Sequence, residues 1–131
     1  MSNAQFSNYP GTECIPRDYH FSQVVRIGNT LRTSGQGGWD ANSSIAPSRK
    51  AQIDLALQIV LAALRAAEPP ATYKNVVSVR NYHTDLGRTF MMMPADFKEL
   101  GADHRPMWTC VEVKRLALDE MAIEIEVEAL V

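Results

Sequence analysis

The chain has 131 residues, 46% of them hydrophobic and 21% charged, with a formal net charge of -2 at neutral pH. That length suits one domain whose core needs neither a metal nor a disulfide to hold it. The 13 lysines and arginines are scattered from Arg17 to Arg115, so no basic stripe exists to track a phosphate backbone and nucleic acid is not expected as a partner.

Residues 1–10 hold no basic or apolar region of the signal-peptide kind and are expected to be flexible. Phe21 to Ser34 is rich in Val, Ile, Leu and Thr and is broken at Gly28-Asn29, which reads as two strands joined by a tight turn. Gly35-Gln36-Gly37-Gly38 follows, a segment that lets another group approach its backbone closely; it reads as a pocket border or a plain bulge. From Ser48, the expected N-cap, Ile53, Leu57, Val60, Leu64 and Ala67 recur at helical spacing until Pro69-Pro70 stops the run.

Val76 to Thr84 returns to strand composition, Thr89 to Leu100 reads as a shorter helix broken or started near Pro94, and Met107 to Val113 is a further strand. From Met121 to Val131, Met121, Ile123, Ile125, Val127 and Ala129 alternate with Glu124, Glu126 and Glu128, which predicts a half-buried strand. The order strand, strand, helix, strand, helix, strand, strand predicts an α+β domain with helices on one face of a sheet.

The most apolar stretch, Ile53 to Leu64, is interrupted by Asp54 and Gln58 and is too short to cross a bilayer. Cys14 and Cys110 stand in no metal or redox spacing and read as reduced thiols. A cytoplasmic protein without metal or cofactor is expected.

Several ordered motifs carry a resemblance: Phe21-Ser22-Gln23, Gly28-Asn29, Ser34-Gly35-Gln36, Tyr82-His83-Thr84-Asp85-Leu86, Val111-Glu112-Val113 and Ile123-Glu124-Ile125-Glu126. Together with the long helix they make residues 21–131 resemble the RidA/YjgF family. The resemblance implies a chorismate-mutase-like mixed sheet of about six strands with two helices on one face. It also implies a homotrimer with ligand clefts between subunits, and cofactor-free hydrolysis of enamines and imines such as 2-aminoacrylate. An L-PSP-type endoribonuclease is a further and weaker implication, since the sequence offers no basic track or convergent acid-base set.

Hydrolysis of a small imino acid needs a group that holds the carboxylate, ideally an arginine fork, and a polar group that positions water. In the deaminating relatives that arginine lies two residues after a proline; here Pro106-Met107-Trp108-Thr109-Cys110 puts Trp108 there. Phe21 stands where the deaminases carry a tyrosine, and Met93 or Pro94 where they carry an asparagine. Ser34, Gly35 and Cys110 match the family positions, and Glu124 corresponds to the acid that positions water.

The expected site is therefore Glu124 as the catalytic acid, with Phe21, Ser34, Gly35, Trp108, Thr109, Cys110 and Arg105 around a ligand. Arg105 is the candidate replacement for the missing fork, and Arg80 a weaker one. The cleft is expected to be aromatic, with Trp39 nearby, and to favour planar neutral or cationic ligands that stack on Trp108. His83 and His104 read as structural, and Met91-Met92-Met93 as adaptable packing. The preferred reading is a small-molecule-binding trimer without standard deaminase activity; the alternative is an imine deaminase with a relocated anchor.

Overall fold

A computed structural model of the chain describes residues 3–131; Met1 and Ser2, part of the segment expected to be flexible, lie outside the described residues. Six strands form one mixed sheet in the order β1-β2-β3-β6-β4-β5. They are β1 (Gln5–Ser7), β2 (Val24–Ile27), β3 (Thr30–Thr33), β4 (Val76–His83), β5 (Met107–Glu112) and β6 (Ile123–Leu130). All neighbours run antiparallel except β4 and β5, which are parallel. The α+β expectation holds.

The hairpin of β2 and β3 turns on Gly28-Asn29, where only Gly28 takes a left-handed φ, of 60°. The long helix α2 (Arg49–Ala66) starts where Ser48 accepts a hydrogen bond from the Ala51 N–H at 3.1 Å, a cap worth about 1 kcal/mol. Ile53, Leu57, Val60, Leu64 and Ala67 are all buried against the sheet, each large aliphatic among them contributing roughly 1.5–3 kcal/mol. On β6 the alternation is carried through: Ile123, Ile125, Val127 and Ala129 face the helices, and the glutamates face the open side.

Three expectations are corrected. Gln5–Ser7 pair with Val24–Arg26 as an edge strand, so part of the N-terminal segment is ordered by the sheet. A short helix α1 (Cys14–Tyr19) precedes β2; its six residues are too few to give a helical period. The second predicted helix is two, α3 (Leu86–Thr89) and α4 (Met92–Leu100), with Pro94 inside the first turn of α4, where its missing N–H costs no helical bond. Among the described residues no helix is long and apolar enough to cross a membrane.

The Gly-rich segment serves packing. Gly38 lies on the backbone of α2, where an added Cβ would come within 2.4 Å of the Gln52 Cα and carbonyl oxygen. Gln52 clamps the same place: its side-chain amide donates to the carbonyls of Ala46 and Glu120, both at 3.1 Å, and accepts from the Ala122 N–H at 2.8 Å.

Candidate functional site

The hydrogen-bond register assigns every strand residue to a face. Trp108 lies in a row with Val79 and Val127 on the helix-covered side, and Cys110 with Asn81 and Ile125 likewise. Glu124 lies in a row with Tyr82 and Val111 on the open side, and Thr109 with Arg80 and Glu126. The expected site residues therefore fall into two groups on opposite faces of the sheet.

The first group gathers where β3 leaves the sheet. The Glu124 side chain lies against Gly35 so closely that an added Cβ would come within 2.5 Å of its Cδ. Burial and the neighbouring Glu126 charge raise the Glu124 pKa above the ordinary carboxylate value. The Ser34 hydroxyl accepts from the Gln36 side-chain amide at 2.9 Å, and Gln36 in turn accepts from Gln23 at 3.3 Å. Gln23 also donates to Thr12 at 2.9 Å and accepts from the Tyr9 N–H at 2.6 Å. Buried Gln23 and Gln36 thus position Ser34, a role that reading the motifs only as family markers did not reveal.

A depression of about 360 Å³ beside Ser34 is lined by Phe6, Gln23, Val25 and Arg32 among others. Phe21 is partly exposed in the loop before β2. Trp39 is 5% exposed and packs with Ile15, Ile59 and Met121 in a second core cluster. It fills the core rather than a cleft, contrary to expectation.

The second group lies at the β5 edge, three strand spacings from β3, or about 14 Å at the usual interstrand distance. Trp108 stacks on Phe90 with ring centroids 5.0 Å apart and meets Phe97 edge-on at 5.4 Å. Its indole N–H donates to Asn81 Oδ1 at 3.0 Å. The indole is a donor only, which identifies that Asn81 atom as the oxygen. His83 Nε2 lies 3.2 Å from the same oxygen, and Nδ1 lies 2.7 Å from the Thr89 hydroxyl, whose single hydrogen goes to the Asp85 carbonyl oxygen at 2.9 Å. Burial lowers the His83 pKa, and this neutral, fully enclosed ring positions Asn81.

Cys110 is half-buried and its thiol is pushed up to about 11 by burial, so at neutral pH it is a protonated thiol and a poor nucleophile. Arg105 is exposed and borders a cavity shared with Trp108. His104 Nε2 donates to the Val76 carbonyl oxygen at 2.7 Å. Thr109 is exposed on the open face. Within one chain, Phe90 takes one face of Trp108, and Glu124 lies on the opposite side of the sheet.

The Glu124 environment has a consequence for stability. Its pKa is raised in the fold, so the folded chain binds more protons than the unfolded one between the two values, and stability falls as pH rises through that window. Glu124→Gln is expected to raise the melting temperature at pH 7 by on the order of a few °C and to leave it unchanged at pH 3. Thermal unfolding at both pH values checks this, and an equal change at both would refute it.

Residues 14–131 match the family described as endoribonuclease L-PSP. The RutC family protein YjgH of Escherichia coli strain K12 is 28% identical over 116 residues, covering 88% of this chain and 87% of that protein. A solved YjgH structure superposes with a TM-score of 0.89 at 27% identity, covering 98% of this chain and 97% of the other. Rv2704 from Mycobacterium tuberculosis, a member of the YjgF family, gives 0.81 at 28% identity, with 98% and 99% covered. Escherichia coli TdcF with bound serine gives 0.75 at 28% identity, with 85% and 87% covered.

Proposed function

Because the chain belongs to the endoribonuclease L-PSP family, the RidA/YjgF group, we propose that it is a homotrimer that binds a small molecule in its intersubunit clefts without standard 2-aminoacrylate deaminase activity. The observation that carries this reading is the state of Trp108. Its one polar atom is spent on Asn81 and its ring is held by Phe90 and Phe97, so it offers a carboxylate no donor. An arginine fork there would offer two.

The split of the candidate residues supports the assembly. Glu124, with Gly35 against it, faces one side of the sheet, and Trp108 and Cys110 the other, at the far edge. One chain cannot close a cleft from both groups; two copies can. The open face also presents Phe6, Met107, Val111 and Leu130 as exposed apolar residues. Across it Arg80 sits opposite Glu126, and Arg32 opposite Glu128, a pattern suited to contact with another copy. Sedimentation equilibrium is expected to give three times the 14.6 kDa chain mass. Reduced Cys14 and Cys110 fit a cytoplasmic setting.

Arg105 favours one alternative, a deaminase with a relocated anchor, because it is exposed beside Trp108 and pairs with no acid among the described residues. The assay that decides generates 2-aminoacrylate in situ and times keto-acid release with and without the protein. No acceleration is expected. Acceleration comparable to that by an arginine-containing relative would overturn the reading in favour of the alternative. A ribonuclease ranks below both, for want of a basic track to hold RNA.

A further inference from the structure

A cavity of about 590 Å³ lies between the C-terminal end of α4, the turn at Tyr73–Asn75 and the start of β5. Tyr73, Phe97 and Trp108 form its flat walls, and Lys98 and Arg105 stand at its rim. No carboxylate lines it, and among the described residues neither cation has an ion-pair partner.

A cation at a helix C-terminus answers the carbonyl dipole, which accounts for Lys98 in the last turn of α4. It does not account for Arg105, which belongs to the loop entering β5, nor for three aromatic walls around open space. Tyr73 adds a further mark: it is 7% exposed, and its hydroxyl is buried without a partner. Elsewhere in the wall the polar atoms are spent, the Trp108 N–H on Asn81 and His104 Nε2 on the Val76 carbonyl.

We propose that this cavity binds a planar aromatic carboxylate, its rings against Tyr73, Phe97 and Trp108 and its carboxylate held by Arg105 with Lys98. The volume is that of an ordinary small-ligand site. Flat aromatic walls favour a flat apolar ligand. The guanidinium fork matches a carboxylate in plane, and Lys98 adds a point charge. Within the chain Glu124 lies on the other face of the sheet, so the chain that holds the anion places no acid of its own beside it. The proposal names a ligand class for the Trp108 side of the site read above and rests on that reading only for the absence of turnover.

The test is calorimetric titration of the full chain with 2-naphthoate, alongside 2-naphthamide, which keeps the rings and removes the charge. Naphthoate is expected to bind at least about tenfold tighter than the amide, and Arg105→Gln to weaken it about tenfold. Lys98→Gln is expected to weaken it less. The indole N–H signal of Trp108 should shift on binding while that of Trp39 stays in place. Equal affinity for acid and amide, absence of binding, or naphthoate affinity unchanged in the Lys98→Gln, Arg105→Gln double variant would overturn the proposal. Deaminase turnover would overturn the earlier reading instead, so the two failures are separable.

Discussion

Replacing Gly38 with alanine is expected to destabilise the fold by about 3 kcal/mol or more, at the upper end of what overpacking a core costs. The new methyl would stand 2.4 Å from the Gln52 Cα and carbonyl oxygen. Those are backbone atoms in the first turns of α2, and no rotamer change removes them. Movement of α2 would also loosen the Gln52 clamp, whose three hydrogen bonds tie the loop at Ala46 and the entry to β6 to the helix. The same substitution at Gly35 meets only the end of the Glu124 side chain. That variant is expected to keep most of its stability and to displace the Glu124 carboxyl instead. Chemical denaturation of both variants reads the difference, and a Gly38→Ala midpoint equal to that of the original chain would refute the close-approach account.

The contrast explains what the amino-acid order could and could not disclose. Periodicity located α2 and β6 because burial on one face demands apolar residues at 3.6 or 2 residue intervals, and Ile53 to Ala67 and Ile123 to Ala129 obey it. It missed β1 and α1, whose three and six residues are too short for a period and are held by pairing with β2 and by Ile15 packing on Ile59 and Trp39. The family motifs pointed to Ser34, Gly35 and Glu124, and these do meet. That Phe21 and Trp39 lie away from Trp108 within one chain was not legible, because strand order across a sheet is set by long-range pairing that no local window contains. Nor was the cavity around Trp108, since Tyr73, Phe97 and Arg105 come from three separate segments.

Trp108→Arg puts these two kinds of information in competition. Motif logic alone expects the substitution to restore a deaminase. The packing expects a loss of about 2–3 kcal/mol, somewhat below the cost of removing a fully buried aromatic, because Trp108 is half-buried. Its stacking with Phe90 and Phe97 would go, and a guanidinium would have to lie where the indole now does. Asn81 Oδ1 would draw that guanidinium toward the helix-covered face, since the substitution removes the indole N–H that now donates to it. Phe21 and Met93 or Pro94 would still stand where the deaminases carry polar groups, and Met93 is fully buried in the core. The expected outcome is a less stable chain with no measurable keto-acid release above the uncatalysed rate, read by thermal unfolding and the coupled assay on the same preparation. A stable and active Trp108→Arg chain would mean that the aromatic cluster is dispensable and that one side chain separates this protein from a deaminase.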